Sequence, residues 1–181
     1  MSATDQPVSP EQQAAIHGLL VKMREAWERG DGTAYASLFT RDARYVSATG
    51  TRSIGPEAIA TTHQQIFDSL FSATRLGNSY PAELQPVAPG VILIHATGAV
   101  LFPGEHEQTV APNGLLTILA TNTNDGWKIA SFANTPTGKA RNPRFFLRYL
   151  RSRLRAFQTE SRKAKAHMLR QKQANIARWS K

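Results

Sequence analysis

An α+β fold, with helices packed on one face of an antiparallel sheet, is what this sequence predicts, and three observations carry the prediction. Two amphipathic helical patterns open the chain. A third follows one short strand. From residue 75 onward the period changes from helical to alternating and stays so through a meander of strands.

Ser9-Pro10-Glu11-Gln12 reads as a helix start. The Ser9 hydroxyl can accept from a free backbone N–H, Pro10 suits the first helical position, and Gln12 completes a capping box. Ile16, Leu19, Leu20, Met23 and Trp27 then recur at the spacing of one buried helix face, and Gly30 ends the element as a residue free to turn left-handed. Asp31 is placed to cap a second, short helix whose Tyr35, Leu38 and Phe39 share a face, and Asp42 at its exit is expected to bond nearby backbone N–H groups. Residues 44–48 read as a short strand and Thr49-Gly50-Thr51 as the turn after it. Gly55-Pro56-Glu57 starts a third helix with Ile59, His63, Ile66, Phe67 and Leu70 at helical spacing. Strands are expected over 80–87, 91–102, 115–122 and 127–135, separated by Pro89-Gly90, Pro103-Gly104 and the hairpin turn Asn124-Asp125-Gly126. Alternation in the last strand puts Trp127, Ile129 and Ser131 on one side and Lys128, Ala130, Phe132 and Asn134 on the other, an assignment that a bulge would swap.

Charge divides the chain near residue 138. Residues 1–138 carry 8 Lys+Arg against 12 Asp+Glu, whereas residues 139–181 carry 14 basic residues and the single Glu160. The net +9 of the 181-residue chain therefore belongs to its last quarter, and the body would not attract phosphates by charge alone. The expected organisation is a disordered N-terminus over 1–8, a domain over 9–137 and a basic helical extension over 138–181. With no cysteine, disulfides and thiolate chemistry are excluded. Met1 to Pro7 has neither a basic start nor an apolar stretch, so a cytosolic protein is expected. No apolar run approaches the ~20 residues of a membrane span.

The ordered set Trp27-Glu28-Arg29-Gly30-Asp31, Tyr35, Leu38-Phe39-Thr40-Arg41-Asp42-Ala43, Gly55, His63, Trp127-Lys128-Ile129 and Phe132-Ala133-Asn134-Thr135 resembles the nuclear-transport-factor-2-like (NTF2-like) superfamily. Within it the helix-three histidine and terminal F-x-N-T look most like the SgcJ/EcaC branch, near the SnoaL-like and DUF4440 groups. The resemblance implies a cone-shaped α+β (cystatin-like) fold over roughly 10–137: a strongly curved antiparallel sheet wrapped around N-terminal helices, a ligand pocket at the open end, and pairing as a homodimer through sheet faces. Superfamily members include isomerases, dehydratases, polyketide cyclases and non-catalytic assembly modules, so the resemblance leaves the reaction open.

His63 is the first candidate for chemistry, because an ionisable ring on a helix face of Ile and Phe is costly unless something engages it. A backbone carbonyl or a tyrosine would satisfy it structurally; a ligand would make it an acid, base or hydrogen-bond donor. Tyr35 and Tyr45 are the companion catalytic candidates, phenols able to hold a carbonyl or a developing enolate. Asn134, whose amide can donate and accept, joins Trp27, Phe67 and Phe132 as a candidate substrate contact. His95 is expected to be a satisfied strand histidine, and Glu105-His106-Glu107 a solvated hairpin tip rather than a metal site. Gly138-Lys139 is no phosphate loop, since Ala133 and Ala140 stand where Gly and Ser or Thr are required. Neither metal nor cofactor is expected.

Beyond Asn142-Pro143, Phe146, Leu150, Leu154, Phe157, Ser161, Ala164 and Met168 follow one helical face, opposite Arg144, Arg148, Arg151, Arg155, Arg162 and Lys163. Docking of this cationic amphipathic helix on the dimer ranks first, an anionic membrane second, nucleic acid third. Two functions fit the whole. One is an enzyme or binding domain for a small, apolar, oxygenated metabolite. The other is a non-catalytic dimeric module recruited by its basic helix.

Overall fold

In the computed structural model, residues 7–77, 83–107, 110, 112 and 114–137 are described. The basic extension, and the start of the strand expected from residue 80, lie outside them.

Helix α1 spans Pro10–Glu28, and its N-terminus is the capping box the sequence spells: Gln12 N donates to Ser9 Oγ and Ser9 N to Gln12 Oε1. Its buried residues are Ile16, Leu19, Met23, Ala26 and Trp27, the expected stripe, with Leu20 packed partly against the core. Val8, within the stretch expected to be disordered, also packs into the core, and its carbonyl accepts from Gln13 Nε2. Asp31 caps α2 (Gly32–Ala36) by accepting from Ala34 N. This helix is shorter than its apolar spacing suggested. Phe39 already belongs to strand β1 (Phe39–Val46), which runs longer and earlier than the 44–48 stretch read from sequence. Asp42 accepts from the Thr40 hydroxyl at 3.1 Å, where a bond to backbone N–H groups was expected.

After β2 (Arg52–Ile54) comes α3 (Gly55–Phe67), which buries Ile59, His63 and Phe67. The remaining strands are β3 (Arg75–Gly77), β4 (Glu83–Ala88), β5 (Val91–Leu101), β6 (Gly114–Thr123) and β7 (Gly126–Pro136). They form one curved sheet in the order β2-β1-β7-β6-β5-β3, with β4 also paired to β5. The expectation of a purely antiparallel sheet is corrected at one place. β1 runs parallel to β7, with Tyr45 opposite Phe132, because the meander that follows α3 returns its last strand alongside the first. Such pairing is non-local and leaves no trace in the period of either strand.

Inside the sheet Ile92 and Ile94 of β5, Ile118 and Ala120 of β6, and Ile129 and Phe132 of β7 are buried in one core with Ile16 and Trp27 of α1 and Ile59 and Phe67 of α3. A bulge interrupts the alternation read from sequence. β6 pairs Leu119 with Ser131 and Ala120 with Ile129, so Ala130 is the extra residue, and both Ile129 and Phe132 face inward. Asn134, two residues past Phe132, falls on the same inner side. His95, between buried Ile94 and Ala96, lies on the outer face with Leu93 and Thr97.

Candidate functional site

The inner face of the sheet and the buried stripe of α3 bring an aromatic cluster together around His63. Tyr35 of α2 stacks on the imidazole with ring centroids 4.2 Å apart. Tyr45 of β1 meets it edge-on at 4.9 Å, Phe67 at 5.8 Å and Trp27 at 6.2 Å. Phe132 of β7 stacks almost parallel on Tyr45 at 4.7 Å, a direct product of the parallel Tyr45–Phe132 register. Six of the seven candidates from sequence thus form one contiguous cluster. Asn134 extends it along β7.

Helical geometry decides which nitrogen of His63 is engaged. Its Nδ1 lies 2.8 Å from the carbonyl of Ile59, one turn back, and only a protonated Nδ1 can donate to it. The Nε2 atom is then an unprotonated acceptor, buried and without a hydrogen-bond partner among the described residues. The expected backbone-carbonyl partner of His63 is thus met at Nδ1. Burial, opposed by the Ile59 bond, lowers the His63 pKa to about 4, so the ring is neutral near pH 7.

The two phenols are coupled. Each phenol acts on the other, the neighbour raising Tyr35 further and opposing the rise at Tyr45. Desolvation dominates in both, raising Tyr35 well above the ordinary phenol range and Tyr45 to about 12. Tyr45 is therefore protonated near pH 7 and has an O–H able to donate. It is part-exposed, whereas Tyr35 is fully buried.

Trp27 is committed elsewhere. Its indole N–H donates to Thr74 Oγ1 at 3.0 Å, and that hydroxyl donates to the Phe71 carbonyl at 2.7 Å. Trp27 therefore offers the cluster its ring and no proton. Thr74→Val would keep the volume but strand the buried indole N–H. We expect a loss of ~1–3 kcal/mol of stability by chemical denaturation, with the site's chemistry unchanged.

Asn134 Oδ1 is a second buried acceptor without a partner among the described residues, and the Thr137 hydroxyl is likewise unpartnered among them. The carboxamide lies where a side chain at Gly114 would be, since a Cβ there would sit 2.6 Å from Oδ1. Thr74 and Gly114 escaped sequence reasoning because their roles come from long-range register, not from local pattern. A separate cleft of about 340 Å³ opens between the ends of α1 and α3, lined by Trp27, Glu28, Phe67, Asp68 and Phe71 among others. It shares two rings with the cluster but not His63, either tyrosine or Asn134. Among the described residues no His, Asp and Glu group is placed to share a metal ion, and no helix is long and apolar enough to cross a membrane.

No protein-family model and no curated protein sequence matches this chain. Solved structures do. A cystatin-like domain of unknown function from Nostoc punctiforme is 28% identical, with a TM-score of 0.62, covering 86% of this chain and 98% of its own. An NTF2-like protein with a cystatin-like fold from Novosphingobium aromaticivorans is 19% identical, with a TM-score of 0.54 over 72% of this chain and 87% of its own. A proposed dehydratase of the NTF2-like family from Streptomyces avermitilis is 18% identical, with a TM-score of 0.58 over 71% of this chain and 99% of its own. The helices, the mixed sheet and these likenesses together show that the chain has a cystatin-like fold, the fold shared by NTF2-like proteins among its structural neighbours.

Proposed function

We propose that this domain binds a small, largely apolar, oxygenated metabolite at the His63 cluster and moves a proton beside its carbonyl group. The observation that carries this reading is the His63 Nε2 lone pair, buried and unpartnered in an aromatic wall. A buried acceptor left unpaired costs ~1–3 kcal/mol, a cost a ligand's proton would relieve. The neutral ring takes the proton from the carbon next to the carbonyl. Tyr45 O–H donates to the oxygen that becomes an enolate. As negative charge grows on the ligand, the proton affinity of His63 rises with it, which offsets a resting pKa suited to weak bases only. Enolisation of this kind is the shared first step of isomerase, cyclase and dehydratase chemistry, and the proposed dehydratase among the structural neighbours supports it.

The test is exchange of carbonyl-adjacent protons for deuterium, followed by NMR. The probe is the β-hydroxyketone formed by aldol addition of acetone to benzaldehyde. The native protein should accelerate exchange at pH 7, His63→Leu should abolish the acceleration, and Tyr45→Phe should reduce it ~100-fold, the scale of one lost oxyanion donor. Equal exchange by native protein and His63→Leu would refute the reading.

A further inference from the structure

The cleft between the ends of α1 and α3 stands apart from the His63 cluster, and its walls carry a charge pattern of their own. α1 ends at Glu28 and α3 at Phe67, and both terminal residues line it. A helix presents about half a negative charge at its carbonyl end, and neither of these last turns holds a basic residue to offset it. The Glu28 and Asp68 carboxylates stand on the same two ends, so side-chain and backbone charge share one sign. Among the described residues that line the cleft, Arg29 is the only cation. One guanidinium against two carboxylates and two helix ends leaves the cleft negative.

Size and preorganisation point to a small molecule. A volume of about 340 Å³ lies at the lower end of the ~300–1,000 Å³ typical of small-molecule sites. Trp27, Phe67 and Phe71 bring rings to the wall, with the Trp27 centroid 5.0 Å from Phe67 and 5.4 Å from Phe71. The Thr74 hydroxyl ties the Trp27 indole to the Phe71 carbonyl, which fixes the turn after α3 against the end of α1. Ala73 in that turn lines the cleft with φ 55°, the one positive φ at a non-glycine residue among those described. Strain of this kind gathers at binding sites, where the surrounding structure holds it in place. A gap set in advance costs a ligand little to enter.

From this we propose that the cleft is a second binding site and takes a small primary amine, its ammonium group between Glu28 and Asp68 and its short apolar arm against the rings. An ammonium brings three N–H donors to a rim of carboxylates and carbonyls, and its positive charge is favoured at both helix ends. Aromatic rings in the wall add to the attraction for a cation. The site is independent of the proton-transfer reading, because the cleft holds neither His63 nor either tyrosine of the cluster.

Four probes decide it, each titrated against the full chain by calorimetry at pH 7 and low salt. They are phenethylamine, a cation at that pH, its N,N,N-trimethyl derivative, a cation without N–H donors, neutral 2-phenylethanol and anionic 3-phenylpropanoate. We expect the amine to bind with a Kd on the order of 1 mM, about 10-fold more tightly than the alcohol or the trimethyl derivative, and the carboxylate not to saturate. Glu28→Gln and Asp68→Asn should each weaken the amine about 3-fold, the scale of an exposed ion pair, and the two together about 10-fold. Arg29→Gln should tighten it about 3-fold. Glu57→Gln makes the same change of charge in the first turn of α3, at the far end of that helix, and should leave the affinity as it is. His63→Leu should leave it unchanged too. Equal binding of amine and alcohol, no saturable binding by the amine, or full affinity in the Glu28 and Asp68 double variant would each overturn the proposal. So would a loss in Glu57→Gln as large as in Glu28→Gln, which would trace the effect to net charge, or a loss in His63→Leu, which would move the amine to the cluster. Binding of the trimethyl derivative as tight as that of the amine would overturn the assignment to a primary amine.

Discussion

Gly32→Ala is expected to cost ~1–3 kcal/mol of stability, at the upper end of that range, although it adds one methyl group to a helix and removes a residue with poor helix propensity. A Cβ at this position would sit 2.7 Å from the carbonyl oxygen of Ala60 and 2.9 Å from the backbone nitrogen of Gln64. Both are backbone atoms of α3, so no rotamer change relieves the contact and α2 must move as a body. Gly32 N also donates to Gln64 Oε1 at 3.1 Å, a bond that displacement would stretch. Because α2 carries Tyr35, the same displacement separates the phenol from His63, and ligand affinity should fall along with stability. Gly18→Ala is the control. It lies within α1 with nothing inside 4 Å of its Cβ, and there the helix-propensity gain of ~0.5–1 kcal/mol is unopposed. Opposite signs for the two glycines, measured by urea unfolding, are the expected result. A stabilising Gly32→Ala would show that α2 does not pack on α3 this closely.

The second large effect is a loss of stability in acid that traces to one residue. His63 has a folded-state pKa of about 4, below the ~6.5 of an unfolded histidine. As pH falls, the unfolded chain takes up its proton first, so the unfolded state binds more protons throughout the interval and stability rises with pH across it. The contribution is complete above about pH 6.5, declines as pH falls, and is lost by about pH 4, for a total of roughly 3 kcal/mol. His63→Leu should erase this component. The difference between the native and variant unfolding curves cancels the carboxylates, which titrate in both. Above pH 6.5 the leucine variant should be more stable by ~1–3 kcal/mol, because it removes the unpartnered Nε2 from the core. It should also be inactive in deuterium exchange. A gain in stability coupled to a loss of function is the signature of a group kept for its ligand. Parallel pH curves for the two proteins would instead mean that water or a polar neighbour already serves Nε2.

Much of this molecule is written locally. The capping box at Ser9 and Gln12, the α1 stripe from Ile16 to Trp27 and the Asp31 cap depend on neighbours within a few turns, so periodicity and capping chemistry expose them directly. His63 was also legible, since an ionisable ring in an apolar helical stripe is an anomaly visible in one dimension. Spacing alone, however, overextended α2 through Phe39, because the first residues of a buried strand and the last of a buried helix are both simply apolar.

What the sequence by itself determined is the set of elements and the residues with chemistry to offer: the helices, the meander, His63, the tyrosines and Asn134. Tertiary structure alone decided how those groups face one another. The parallel β1–β7 register stacks Tyr45 on Phe132, and the bulge at Ala130 turns Ile129 and Phe132 to the same side. The approach of α2 to α3 across Gly32 sets Tyr35 on His63. The physical reason is range. Caps and stripes are fixed by bonds a few residues long, whereas the donor and acceptor pattern of the cluster arises where segments distant in the chain compete to bury the same apolar surface.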